Sequence, residues 1–299
     1  MTLKQLEAFY WAATCTNFSV AARRLNLSIS SLSKRIAELE ESLGRVLFDR
    51  SGHKAALTDE GRQLLPGARQ LLGAAEALRD AAGGQRGLSG HCRFGVGELS
   101  ALTWLPRLMA QARKLHPNLV LEPYVDVGAV LEQRVDKGEL DFAVIAGRSS
   151  RQTMASEPIA HAHFAWTASP SLVGRSGKMT GALLQAHPLV SLPSGAGTTR
   201  IIDDWLLSQG ADAGERITCN SLGAVAGLLV EGVGVGLLPK GWADKLAKRG
   251  QLRKLNSPTE LQPLTYSCQW RRGDARPAIK QMCELARQVA DFSPSGIFL

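Results

Sequence analysis

The apolar periodicity of this chain changes character once, and the change divides it. Up to residue 82, apolar residues recur at helical spacing. Beyond the stretch Gly83-Gly84-Gln85-Arg86-Gly87-Leu88-Ser89-Gly90, short apolar runs alternate with helical patterns. Clustered glycine favours neither element and marks a hinge. A chain patterned this way is confined to a helical part ahead of the hinge and an α/β part behind it. The length of 299 residues agrees, since domains run to about 150 residues each.

Composition narrows the class. Hydrophobic residues make up 44% and charged residues 21%, the balance of a folded protein rather than a disordered chain. Apolar runs are broken well short of the ~20 residues a membrane helix needs. No basic stretch followed by an apolar core opens the chain, so no membrane association and a cytoplasmic location are expected. Five cysteines are too few for a disulfide-stapled scaffold. Cys15, Cys92, Cys219, Cys268 and Cys283 form no C-x-x-C pair and read as reduced, mostly buried thiols. Pairing in space, for instance of Cys219 with Cys268, stays open. The net charge is +8, and residues 1–58 hold eight Lys and Arg against five Asp and Glu. The basic excess is denser there than in the remainder, which points that segment towards nucleic acid.

In that segment Leu3, Leu6, Phe9, Tyr10 and Ala13 mark a first helix. After a break at Thr16-Asn17, Ser19 is placed to cap a short second helix, Val20 to Leu25. Asn26-Leu27 makes a tight turn. Ser28 caps a third helix to about Ser42, with Gly44 just past its end. Leu32, Ile36, Leu39 and Leu43 form one buried stripe on it. The opposite side offers Ser30, Ser33, Lys34 and Ala37, short or cationic groups that let a helix sit deep in a major groove. Val46 to Arg50 and Ala55 to Leu57 read as two strands of a wing around the turn Ser51-Gly52-His53-Lys54. Arg50, His53 and Lys54 are placed to reach phosphates or the minor groove.

Residues 18–61 resemble the winged helix-turn-helix of LysR-type transcriptional regulators. The resemblance rests, without a gap, on Phe18, Ala21-Ala22, Leu25, Leu27-Ser28, Leu32-Ser33, Ile36, Leu39-Glu40, Leu43-Gly44, Leu47-Phe48, Arg50, Leu57-Thr58 and Gly61. It implies sequence-specific binding of double-stranded promoter DNA through Ser28, Ile29, Ser30, Ser33 and Lys34 on the helix and Arg50, His53 and Lys54 on the wing. One departure stands out. The family commonly carries glutamine where this chain has Ile29, which has no polar group to offer a base. Contact with a thymine methyl and packing into the domain are both open for it.

Thr58 caps a long helix, with Asp59-Glu60 where the helix dipole favours anions. Leu64, Ala68, Leu71, Ala75, Leu78 and Ala82 form an a/d seam, either against the helix's own domain or against a second copy. Pro66-Gly67 is expected to interrupt or kink it. The resemblance implies a homodimer through this helix and a homotetramer beyond it.

Behind the hinge the pattern gives strand 92–97, helix 101–115, strand 119–125, helix 129–137 and strand 141–146. A second set reads strand 188–192, helix 199–208, strand 216–219, helix 222–231 and strand 233–238. Alternation of this kind predicts α/β lobes with largely parallel sheets. Gly95 to Pro106, Gly138 to Asp141, and Gly232 to Pro239 resemble landmarks of the same family, which implies a two-lobed fold like that of periplasmic binding proteins. The expected division is a winged helix-turn-helix domain over 1–58, a linker helix and hinge over 59–87, and an effector-binding domain over 91–299. Within the last, lobe one is 91–162 with 269–299 and lobe two is 163–268, with crossings near Ala162–Trp166 and Tyr266–Trp270.

In open α/β sheets a ligand sits outside the carboxyl ends of the strands. Those ends deliver Gly97, Glu98, Leu99 and Ser100, then Val127 and Gly128, then Arg148; the second lobe delivers Ser194, Gly195, Gly197, Thr198 and Thr199, then Asn220. Ser100 is placed to cap the helix that follows it. Ser194 to Arg200 lacks the lysine of a P-loop and the third glycine of a dinucleotide fingerprint. A capped turn or a carboxylate site at a helix N-terminus remains. A small organic acid suits such a cleft, whereas Glu98 and Asp126 oppose an anion unless they pair with Arg148 or face solvent; otherwise they signal a ligand with a cationic or hydroxyl group. His161 and His163 are spaced to share the face of one strand, with no third metal ligand in view. No G-x-S-x-G elbow or H-E-x-x-H motif is present. The expectation is therefore a regulator and not an enzyme, without cofactor or metal. A solute-binding or enzymatic α/β protein with a helical appendage competes with it, and leaves the wing and the seam without a purpose.

Overall fold

The computed structural model describes residues 1–50, 55–82, 87–174, 177–274 and 276–293. In the helical head, α1 (Leu3–Thr14) opens on a capping box in which Thr2 accepts from Gln5 N at 3.2 Å and Gln5 accepts from Thr2 N at 2.8 Å. The second helix, α2 (Phe18–Arg24), is capped by Asn17 and not by Ser19. Asn17 Oδ1 accepts from Val20 N at 2.9 Å, so the helix begins two residues earlier than expected. Asn26 turns the chain at φ 53°, a left-handed conformation that asparagine tolerates. Ser28 caps α3 (Ile29–Leu43) by accepting from Ser31 N, and Gly44 ends it at φ 62°. Leu32, Ile36 and Leu39 are fully buried and join Phe9, Val20, Leu47 and Phe48 in the head's own core.

The wing is the antiparallel pair β1 (Phe48–Asp49) and β2 (Ala56–Leu57), shorter than the runs that suggested it. Its tip, with His53 and Lys54, lies outside the described residues. Then α4 (Asp59–Ala82) begins beside the wing, with Thr58 Oγ1 accepting from Gly61 N at 3.1 Å. A Cβ on Gly61 would stand 2.4 Å from the Leu47 carbonyl, so only glycine permits this approach. Pro66 does not interrupt α4. It lies on an exposed face, where water can take the carbonyl its ring leaves unbonded. The expected seam is split between two partners. Leu64 and Ala68 pack into the head, whereas Leu71 and Leu78 stand 46% and 70% exposed.

Behind the hinge follow β3 (Ser89–Val96), α5 (Glu98–Thr103), α6 (Leu105–Leu115), β4 (Asn118–Val125), α7 (Gly128–Asp136), β5 (Phe142–Ala146) and β6 (Met154–Ala162). Next are β7 (Phe164–Ala168), α8 (Pro170–Val173), α9 (Gly181–Ala186), β8 (Leu189–Ser191), α10 (Gly197–Gln209), β9 (Arg216–Thr218) and α11 (Leu222–Val230). The chain continues through β10 (Val235–Pro239), α12 (Lys240–Lys248), β11 (Arg253–Leu255), β12 (Leu264–Arg271) and α13 (Pro277–Val289). One sheet has the order β4-β3-β5-β12-β6 and the other β11-β7-β10-β8-β9. Both are mixed, not largely parallel. β3, β4 and β5 run parallel while β12 runs antiparallel to β5 and β6; β8, β9 and β10 run parallel while β7 runs antiparallel to β10 and β11.

The expected helix 101–115 is broken at Trp104, because Pro106 in the first turn of α6 starts a new helix. Ser100 therefore lies buried inside α5 and caps nothing. The first crossing between sheets falls at His163, between β6 and β7. The second falls between β11 and β12, not at Tyr266–Trp270 as expected. Those residues pair with Phe142–Ala146 on one side and with Ala155–Ala160 on the other, so they lie in the interior of the first sheet. His161 lies near the end of β6 and His163 lies beyond it, so the two do not share one strand. Cys268 and Cys283 form a disulfide between β12 and α13, against the expectation of reduced thiols there, and Cys219 is free.

Candidate functional site

The head presents α3 with its apolar stripe inward and its other side bare. Ser28, Ile29, Ser30 and Lys34 are exposed and Ser33 is half-buried. Ser28 Oγ lies 2.8 Å from the hydroxyls of both Ser30 and Ser31, a chain of short polar groups at the helix start. Glu40 fixes the wing to this helix. Its Oε1 accepts from Leu47 N at 2.8 Å and Phe48 N at 3.1 Å, and its Oε2 lies 3.4 Å from the exposed Arg50. The arrangement offers hydroxyls and an ammonium to base edges and phosphates from one convex surface.

A cavity of about 760 Å³ opens between the two sheets. The carboxyl ends of β3, β4, β5, β8 and β9 all run towards it. Its walls include Gly97, Glu98, Leu99, Val127, Gly128, Arg148, Gly195, Gly197, Thr198, Thr199 and Asn220. Ser100 and Ser194 do not line it. Phe164, Tyr266 and Gln269 also do, and the sequence reading missed them. Burial pushes the Tyr266 phenol up. Gln269 donates to the Gly147 carbonyl at 3.1 Å while its Oε1 is buried without a partner, as is Thr198 Oγ1. Gly197 brings α10 against the opposite lobe: a Cβ there would stand 2.6 Å from that of Ala146.

The acidic groups of the cleft have partners, three of them within their own lobe. Asp126 accepts from Val127 N at 2.8 Å, Asp203 pairs with Arg216 at 3.2 Å, and Glu132 accepts from the Ser149 hydroxyl. Glu98 accepts from the Ser221 hydroxyl at 3.0 Å and from Leu222 N. Among the described residues Arg148 and Arg200 stand in the wall without an ion pair. Free guanidiniums and the α10 N-terminus favour a small anionic ligand.

Head and first lobe meet through a buried charge cluster. Arg24 of α2 pairs with Asp141 and donates to the Gly138 carbonyl at 2.8 Å. Arg276 pairs with Asp141 and, at 2.7 Å, with Asp274; Arg271 donates to the Thr14 carbonyl at 2.7 Å. The Arg24, Arg276 and Arg271 guanidiniums lie 3.8, 4.9 and 5.6 Å from the Trp11 ring centroid. Burial, with the like charges of Arg276 and Arg271, pushes Arg24 down to about 9. Burial works against ionisation of Asp274, but Arg276 and Arg271 outweigh it and hold the carboxyl below its usual range.

Among the described residues no group of three His, Cys, Asp or Glu side chains could hold a metal, and no helix is long and apolar enough to cross a membrane. Two family models match the chain. Residues 3–62 match the bacterial regulatory helix-turn-helix protein, lysR family, and residues 85–291 match the LysR substrate binding domain. The SDS degradation transcriptional activation protein of Pseudomonas sp. (strain ATCC 19151) is 30% identical over 261 residues, 85% of this chain and 84% of that protein. A probable hydrogen peroxide-inducible genes activator of Mycobacterium xenopi is 37% identical over 53% of this chain and 84% of its own length. Among solved structures, an H2O2-bound OxyR variant from Corynebacterium glutamicum is 27% identical with a TM-score of 0.58, over 96% of this chain and 94% of that one. ArgP from Mycobacterium tuberculosis has a TM-score of 0.67 at 21% identity, over 98% of both chains, a likeness of fold.

Proposed function

The chain belongs to the LysR family of DNA-binding transcriptional regulators controlled by small effectors, and from that premise we propose how this member divides the work. Residues 1–58 read DNA, residues 59–87 join and pair subunits, and residues from 91 onward bind the effector. Within the last part, 91–162 with 264–293 form lobe one and 163–263 form lobe two. Ser28, Ile29, Ser30, Ser33 and Lys34 face the major groove, while Arg50, His53 and Lys54 hold the backbone or the minor groove. Leu71 and Leu78 of α4 are the dimer contacts, and two dimers make a tetramer. The protein acts in the cytoplasm and catalyses no reaction.

The effector is a small organic acid held between the lobes. The observation that carries this reading is the 760 Å³ cleft itself, walled by Arg148 and Arg200 without an ion pair and by the start of α10. Guanidiniums and the first amides of a helix both bind carboxylates. Effector binding shifts the population of lobe angles. That shift alters how dimers pair and how the DNA is bent.

The test is fluorescence anisotropy of the full-length protein on its own upstream intergenic DNA, with a scrambled duplex as control, at several salt concentrations. Tight binding to the native duplex alone, changed by one of a panel of small organic acids, is the expected result. Equal and equally salt-sensitive binding to both duplexes would overturn sequence-specific regulation.

A further inference from the structure

One carboxylate reaches across the cleft from lobe to lobe. Glu98, the first residue of α5, sends its side chain to the N-terminus of α11 on the far side. Its Oε1 accepts from the Ser221 hydroxyl at 3.0 Å and from Gly223 N at 3.4 Å; its Oε2 accepts from Leu222 N. Ser221 Oγ also accepts from Ala224 N at 3.3 Å as the helix cap, which directs its own proton to Glu98. The first amides of a helix have no acceptor within it, and the dipole leaves them partly positive. A free anion would bind at that position. Here a side chain of the opposite lobe already fills it, while the matching end of α10 keeps Thr198 Oγ1 without a partner.

We propose that Glu98 is an internal ligand that clasps the two lobes together in the effector-free protein, and that the acidic group of an effector releases the clasp by taking its place on α11. The proposal rests on the reading of the cleft as the effector site. Exchange of one carboxylate for another leaves the helix terminus equally satisfied. The free energy of the effector's remaining contacts, to Arg148, Arg200 and the rest of the wall, is then available to move the lobes. A ligand shifts an equilibrium only by its difference in affinity between the two states, and the exchange supplies that difference: the α11 site is open to the effector only when the clasp is open.

The test is hydrogen–deuterium exchange of the full-length protein, read on peptides spanning residues 219–226, for wild type, E98A and E98Q. Acetate is the probe, with sodium chloride at equal ionic strength as control. In E98A these amides lose a charged acceptor and should exchange roughly 10- to 100-fold faster. Acetate should restore their protection in E98A and leave wild type unchanged. E98Q, of the same size but with one neutral acceptor oxygen, should lie between and guards against a folding defect in E98A. Equal exchange in all three proteins, or no effect of acetate on E98A, would overturn the clasp. The readout needs no operator DNA. Failure of wild type to bind its operator would therefore strike the regulatory reading and leave the clasp to be judged on exchange alone.

Discussion

Ile29 opens α3 and is 51% exposed, which argues against packing into the head, and the proposed role is contact with a thymine methyl. I29A should then leave the melting transition within about 0.5 kcal/mol of wild type. On an operator with thymine at the contacted step it should cost about 1 kcal/mol of affinity. On the same operator carrying uracil, which lacks the methyl group, the two proteins should bind alike. A thymine-independent loss in anisotropy would refute the contact. Lys34 is exposed one turn further along. K34A should weaken binding and flatten its salt dependence; an unchanged slope would remove Lys34 from the interface. These residues were legible in the sequence because a period of 3.6 fixes which side of α3 is free once Leu32, Ile36 and Leu39 are buried. Gln269, Tyr266 and Phe164 were not. Tyr266 and Gln269 reach the cleft from β12, whose partners lie more than a hundred residues away, and Phe164 from β7, where its own partner is Pro239; no local period encodes that.

At the scale of elements, what the sequence conveyed depended on how local the deciding interaction is. The parallel strands showed as short apolar runs, because β5, for example, is buried on both faces. The antiparallel strands β6 and β12 mix polar and apolar residues, and their pairing is set across the whole lobe. The placing of the second crossing failed for that reason. α4 shows the same division within one helix. Its heptad pattern was plain, but only the fold could assign Leu64 and Ala68 to the head and free Leu71 and Leu78. Two exposed leucines one heptad apart favour burial against another helix. The double variant L71K/L78K should keep the helical content of the wild type by circular dichroism and sediment as a smaller species. If it sediments as the wild type does, the subunits pair elsewhere.

For the molecule as a whole, the joint between head and lobe was not legible, since its members come from four separate stretches: 11–24, 137–141, 271–276 and Arg69, which donates to the Gly273 carbonyl at 2.6 Å. None of them forms a motif. Gly138, at φ 76°, shows how close the two parts come: a Cβ there would stand 2.8 Å from Arg271 Nη1 and 3.0 Å from Cys15 Sγ. Three arginines face two buried aspartates in this joint, so its strength depends on both carboxylates being ionised. Asp274 is held below its ordinary 3.8 in the folded protein despite its burial, by Arg276 and Arg271. A depressed folded value means the contribution is complete above the unfolded value and is lost as the pH falls through the folded one. The melting temperature of wild type should therefore drop from about pH 5 towards pH 3. D274N should be less stable at pH 7, by the roughly 3–5 kcal/mol that removal of one partner from a buried charge cluster costs, and its melting temperature should vary less over the same range. Cys15, buried in the joint, supplies a second readout at pH 7. Its alkylation by N-ethylmaleimide, located by peptide mass, should be slow in wild type and faster in D274N, because loss of the carboxylate leaves Arg276 and Arg271 to repel each other and part the head from the lobe. Parallel acid profiles for the two proteins, with equal Cys15 alkylation, would show that this carboxylate does not hold the joint.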